Sequence, residues 1–191
     1  MKIGLVLAAY LIIGGLCQQN PTQDEEGSFR LPLASYRIWQ PFANRNSLFD
    51  WKYHCAEDAY GDGGTAVYAI ADGVVSFSGP VGGYGWLIII DHPEYRIYSL
   101  YGHVSTRREK ATSGEVRKGE LIAYLADDDE DGSGGEYPDW GPHLHFGLRQ
   151  GFRADYHDSG DSRWMAGYTT IHPAELGWLA PTFYIAEHES K

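Results

Sequence analysis

Residues 67–91 read Val67-Tyr68-Ala69-Ile70-Ala71-Asp72-Gly73-Val74-Val75-Ser76-Phe77-Ser78-Gly79-Pro80-Val81-Gly82-Gly83-Tyr84-Gly85-Trp86-Leu87-Ile88-Ile89-Ile90-Asp91. Val67 to Ala71, Val74 to Ser78 and Trp86 to Asp91 are short runs rich in β-branched and aromatic residues, which is a strand signal. Asp72-Gly73 and the Gly79 to Gly85 stretch read as hairpin punctuation between them. Leu87 to Ile90 is apolar on both faces, so it is expected at the centre of a sheet, with Arg96 to Tyr101 returning beside it. Glu120 to Leu125 adds a further strand. Across the chain, 24 glycines, 14 tyrosines and 6 tryptophans favour strands and tight turns. The expected fold is all-β, compact and mainly antiparallel, with few short helices. One of these is expected at Pro173 to Leu179, with proline in its first turn.

The chain has 191 residues and is 43% hydrophobic, enough for one ordinary core. Ile3 to Leu16 is an apolar run behind Lys2, too short to span a bilayer and suited to a secretory leader over residues 1–17. Gly15 and Cys17 fit a cleavage site, and Cys17 is equally readable as a lipidated N-terminus. Residues 18–28 are polar, with Asp24, Glu25 and Glu26, and read as a tether. A single domain is expected over residues 29–185, followed by a tail at 186–191. The protein is expected outside the cytoplasm, as a monomer. With Cys17 removed or acylated, Cys55 stands alone and no disulfide framework forms. The net charge of −11 gives no basic footprint for nucleic acid and is repelled by anionic membranes.

Phe29 to Tyr53 is aromatic without helical periodicity and reads as irregular chain along a groove or sheet edge, its rings more core than ligand platform. Asp127 to Asp131 is a run of five acids before Gly132-Ser133-Gly134-Gly135. It fits half of a calcium loop but has Pro138 where the closing Glu belongs, so a solvated loop is expected.

Chemistry concentrates at Trp140-Gly141-Pro142-His143-Leu144-His145-Phe146. On a strand, His143 and His145 share one face while Leu144 and Phe146 take the core face. His54 and Asp58 are ligand types for zinc, but an extended segment would hold their Cα atoms about 13 Å apart, so the chain must bend between them. His103 follows Tyr101-Gly102 at a strand end, where a side chain can project into a cleft. His92, His157, His172 and His188 read as turn or loop residues. A one-zinc hydrolase needs three protein ligands, an open position and a separate proton carrier. His54, Asp58 and one of His143 and His145 can supply the first, and the remaining imidazoles the last.

Five pieces occur in order: His54 to Asp58, Val67 to Val75, Gly83 to Gly85, Tyr101 to His103, and Gly141 to Phe146. Val116 to Ile122 adds a basic-Gly stretch before a strand. Together they resemble the lysostaphin-like zinc endopeptidases that cut peptide bridges in bacterial peptidoglycan, over roughly Phe29 to Arg149. The resemblance implies a lysostaphin-like fold of duplicated hybrid-motif or barrel-sandwich type. It also implies one Zn2+ per chain on His54, Asp58 and His145, with His103 and His143 acting on water and oxyanion and a peptidoglycan peptide as substrate. Ala56 and Gly147 depart from the family's Gly and Glu, and Asp127 to Trp140 is longer and more acidic than usual. Two rivals stand beside this reading: a non-catalytic wall-peptide-binding or hydrolase-activating module on the same fold, and a cupin-like metalloprotein. The second lacks the Glu expected after the His pair.

Overall fold

The computed structural model describes residues 28–130 and 141–188. The leader, Cys17, almost all of the tether, the 131–140 part of the acidic loop and residues 189–191 lie outside them. The strands are β1 (Ile38–Gln40), β2 (Arg45–Asn46), β3 (Lys52–His54), β4 (Glu57–Tyr60), β5 (Ala66–Tyr68), β6 (Gly73–Val81) and β7 (Gly85–His92). They continue as β8 (Ile97–Val104), β9 (Gly114–Val116), β10 (Leu121–Tyr124), β11 (His143–Gln150), β12 (Tyr168–Thr169) and β13 (Trp178–Leu179), and helix α1 is Pro181–His188. The fold is mostly antiparallel β, as expected. An eight-stranded sheet runs β1-β4-β11-β8-β7-β6-β9, with β13 also on β11, flanked by the pairs and triples β10-β5 and β12-β3-β2.

Strand β7 sits between β6 and β8, and its side chains divide by the pleat. Ile88 and Ile90 join Leu144, Phe146 and Leu148 in one core, which β5 and β10 cover with Val67 and Ile122. Leu87 and Ile89 join Tyr98, Leu100, Trp164 and Trp178 in the other. Each of these aliphatic side chains contributes about 1.5–3 kcal/mol when fully buried, which is why the double-sided apolar run fixes the centre of the sheet. His143 and His145 alternate with Leu144 and Phe146, so they face the second core's side.

Three expectations change. Asp72-Gly73 is not a hairpin, because β5 pairs with β10 and β6 with β7 and β9. Gly73 is there for close approach: a Cβ would stand 2.6 Å from the Asp91 carbonyl oxygen. The expected helix at Pro173 to Leu179 is a single 3-10 turn, Pro173–Leu176, stopped by Gly177 at φ 85°. β13 follows it. The one α-helix among the described residues comes later, and buries only Pro181 and Ile185, one turn apart, so it offers too weak a stripe to read from sequence.

The acidic run is the third change, since its described part is not simply solvated. Glu130 is 6% exposed and accepts from Ser105 Oγ at 3.0 Å and from Thr106 N and Oγ1 at 2.8 Å. Asp127 pairs with Arg108 and Asp129 with Arg107. The acids clip two loops together at the end of β8.

Candidate metal centre and groove

His54 ends β3 in the three-stranded sheet and Asp58 lies in β4 of the large sheet. The chain therefore changes sheets at Cys55-Ala56, and this is the bend the His-x3-Asp spacing requires. The corner is fastened by Cys55, which is fully buried, donates N–H to the Gly167 carbonyl at 2.9 Å, and sets its Sγ 3.4 Å from Thr169 Oγ1. His145 is directly opposite Asp58 in the β4/β11 register.

Three ligand-type atoms converge as a result. Asp58 Oδ1 lies 3.3 Å from His54 Nε2 and 2.9 Å from His145 Nδ1, and the two nitrogens are 3.2 Å apart. Tetrahedral zinc with bonds of about 2.0–2.1 Å spaces its ligands by about 3.3 Å, so these separations suit it. His54 Nδ1 is 3.3 Å from the Pro41 carbonyl, an acceptor that fixes the proton there and leaves the Nε2 lone pair facing inward. Asp58 Oδ1 is buried with no hydrogen bond aimed along a proper donor direction. Three ligand-type atoms packed this closely are what a cation would satisfy, and the residues fit the metal that the sequence resemblance implies. Burial opposes ionisation of Asp58, yet His54 and His145 hold its carboxyl well below the usual range. Burial also lowers the pKa of His145.

His103 and His143 form a second tier. His103 has φ 60°, an uncommon conformation for a side-chain-bearing residue. Its N–H donates to the Tyr84 carbonyl and its own carbonyl accepts from Ala126 N–H, each at 3.0 Å, so the backbone is pinned on both sides. Gly102 before it leaves room for Tyr84, whose Cδ1 would be 2.5 Å from any added Cβ. The His103 and His143 rings are 4.4 Å apart, and Trp39 meets His143 edge-on at 5.2 Å. Burial, with His143 and His145 nearby, pushes the His103 pKa well below its ordinary value. His143 Nδ1 lies 2.9 Å from the Gly141 carbonyl, which requires a proton on Nδ1 and leaves Nε2 with its lone pair.

These residues open on a groove of about 410 Å³, lined by Asp58, His103, His143 and His145 together with Trp39, Phe49, Tyr84 and Tyr168. Trp39 is 37% exposed. The Phe29 to Tyr53 segment therefore divides, with Phe29 in the core and Trp39 and Phe49 at the groove. One groove wall, residues 161–168, belongs to a loop that gave no chemical signal in the sequence. It is held by Arg149, which is fully buried on β11. Its guanidinium donates to the Leu176, Ser162 and Arg163 carbonyls at 2.9, 3.2 and 3.0 Å and packs 3.5 Å over the Tyr156 ring. Two of the departures from the family pattern meet, since a Cβ on Gly147 would stand 3.1 Å from Trp178 and 3.7 Å from Ala56 Cβ. A larger residue at 147 would require the buried Trp178 ring to shift.

The structure thus brings His54, Asp58, His103, His143 and His145 to one place. His92 departs from its reading as a turn residue: it is fully buried, between the Asp72 carbonyl at 2.8 Å and Ser99 Oγ at 2.7 Å. His172 does serve a turn, its Nδ1 accepting from Ala174 N–H.

An all-β fold carrying a two-histidine, one-carboxylate cluster at a groove defines a class of metallopeptidase-like domains. This chain belongs to Peptidase family M23, whose description it matches over residues 52–158. It is 38% identical over 128 residues to the DD-carboxypeptidase/endopeptidase Mpg of Neisseria meningitidis serogroup B and to that of Neisseria gonorrhoeae. The match covers 65% of this chain and only 27% of those relatives. In fold it is similar to the antimicrobial peptidase lysostaphin from Staphylococcus simulans, with TM-score 0.57 and 18% identity over 88% of this chain and 57% of that one. It is also similar to a zinc-containing peptidase from Vibrio cholerae, with TM-score 0.51 and 24% identity over 65% of this chain and 37% of that one.

Proposed function

We propose that this protein is a zinc-dependent endopeptidase that hydrolyses peptide crosslinks of bacterial peptidoglycan outside the cytoplasm. The observation that carries the reading is the triangle of His54 Nε2, Asp58 Oδ1 and His145 Nδ1, with all three residues buried and Asp58 and His145 lining the groove. Membership of a peptidase family and the likeness to the Neisseria enzymes support it.

His54, Asp58 and His145 would hold one Zn2+. Bound there, the metal supplies Lewis acidity for a carbonyl and for a water molecule. The remaining steps belong to side chains. His143, with Nδ1–H committed to the Gly141 carbonyl, presents Nε2 to take a proton from the attacking water. His103, kept neutral by burial, carries an N–H for the oxyanion that develops at the carbonyl. Tyr84 and Trp39, packed against these two imidazoles, hold the rings in place.

The test is a digest of defined crosslinked muropeptides read by mass spectrometry, beside a metal assay. The expected outcome is about one zinc per chain, new amino termini, and no cleavage with chelator. His103→Ala should keep its zinc and lower kcat/KM by about 10²–10³-fold, the range for losing one oxyanion donor. Full zinc occupancy with no cleavage of any muropeptide would overturn the enzymatic reading in favour of a binding module.

A further inference from the structure

Tyr168 lines the groove together with Gln40 and Phe49, and its side chain is held on three sides. In the β3/β12 register it stands directly opposite His54. Its ring stacks on Phe49 with centroids 4.0 Å apart and meets the His54 ring at 5.0 Å. Its oxygen lies 2.9 Å from Gln40 Nε2 and 3.4 Å from Asn46 Nδ2.

The backbone sets the direction of these bonds. Asn46 caps the 3-10 turn Ser47–Phe49, its Oδ1 accepting from Leu48 N–H at 2.9 Å, so Nδ2 is the end that faces Gln40 and Tyr168. An amide nitrogen only donates. The Gln40 atom 3.2 Å from it is therefore Oε1, because the opposite orientation would set two NH2 groups against each other. Gln40 Nε2 is then the end turned to Tyr168, and it donates as well. The phenolic oxygen accepts in both of its bonds, and its own O–H meets no acceptor among the described residues. Two amides have made this hydroxyl a donor at the groove.

We propose that Tyr168 is a substrate-binding residue whose hydroxyl donates to a main-chain carbonyl of the bound peptide other than the one that is cut. This rests on the peptidase reading above and adds a subsite to it. His103 packs toward the His145 ring, at 6.0 Å between centroids, and Tyr168 toward that of His54, so the two donors approach the triangle from different ligands. A peptide crossing the groove would give its scissile carbonyl to His103 and a second carbonyl to Tyr168. Because Phe49, His54 and the two amides already fix the phenol, the bond forms with little further loss of side-chain freedom. It is made on binding and does not change as the other carbonyl reacts, so its loss belongs in KM and not in kcat.

The experiment measures kcat and KM of the zinc-loaded protein on a synthetic crosslinked muropeptide, and on a series of it in which one backbone carbonyl oxygen at a time is replaced by sulfur, a weaker acceptor. Tyr168→Phe keeps the stacked ring and should keep its zinc, while KM rises about three- to tenfold, as expected for one neutral hydrogen bond, and kcat stays. Gln40→Glu keeps the hydroxyl but offers it a carboxylate to donate to, and should raise KM by a similar factor. That variant remains readable if Tyr168→Phe misfolds. One peptide of the series, sulfur-substituted away from the scissile bond, should bring the KM ratio of Tyr168→Phe to wild type close to one. An unchanged KM in both variants, a loss confined to kcat, or the same ratio for every peptide of the series overturns the subsite. Should no peptide be cut, the peptidase reading fails, and calorimetric binding of the same muropeptide still decides the subsite: equal affinity for wild type and Tyr168→Phe refutes it, and weaker binding by the variant supports it.

Discussion

Protonating His92 would place a charge in a buried site, against the Asp72 carbonyl and the Ser99 hydroxyl. The Asp72 carbonyl accepts from Nδ1–H and the Ser99 hydroxyl lies 2.7 Å from Nε2, so the neutral ring satisfies both neighbours, and what opposes its charging is burial. Burial lowers its pKa to about 4, against an ordinary value of 6.5. The unfolded chain therefore binds this proton first as pH falls, and stability drops between about 6.5 and 4. From pH 7 to pH 5 the group should remove about 2 kcal/mol. Urea unfolding of wild type and His92→Gln at both pH values checks this: the variant should lose about 2 kcal/mol less over that interval, and equal losses would refute it. His103 and His145 titrate in both proteins and cancel in the difference. Nothing in the sequence around Asp91-His92-Pro93 could have placed this ring, because its partner is a backbone carbonyl twenty residues away. The histidines that were legible, His143 and His145, owe it to a spacing of two on a strand, where sequence alone fixes the face.

At the scale of elements, the strands were legible and the connections less so. Leu87 to Ile90 fixed β7 because only a central strand buries both faces, whereas Asp72-Gly73 looked like a turn for a composition that close backbone packing also requires. The acidic run misled for a similar reason: its composition is that of a solvated loop, and what removes Glu130 from water is Ser105 and Thr106. Although burial opposes its ionisation, bonds from Thr106, Ser105 and Asp127 bring its pKa down to about 2. This carboxylate joins the end of β8, which carries His103, to the start of the 127–130 segment. Glu130→Ala leaves those hydroxyls and N–H groups without an acceptor, and should cost about 1–3 kcal/mol, measured as a lower urea midpoint at pH 7. Because the folded pKa is depressed, this contribution is present above about 4.5 and fades as pH falls through 2. Loss of the midpoint shift at pH 7 would mean the clip does not bear on stability.

For the whole molecule, the site depends on three parts of the chain that only the completed fold brings together: the corner at Cys55, the β4/β11 register and the end of β8. An ion that binds the assembled triangle and not the unfolded chain must stabilise the entire domain, by RT ln(1 + [zinc]/Kd), or about 4 kcal/mol at a thousandfold excess over Kd. For a chain of this size that is a rise in Tm of about 10 °C. Asp58→Asn keeps the shape but replaces the carboxylate by a neutral amide, a far poorer zinc ligand, so most of the zinc-induced shift should vanish. His103→Ala alters a residue placed outside the triangle and should keep that shift in full. The comparison separates ligand from catalyst without any assay of turnover: a shift retained by Asp58→Asn, or lost by His103→Ala, would mean the metal is held by a different set of side chains.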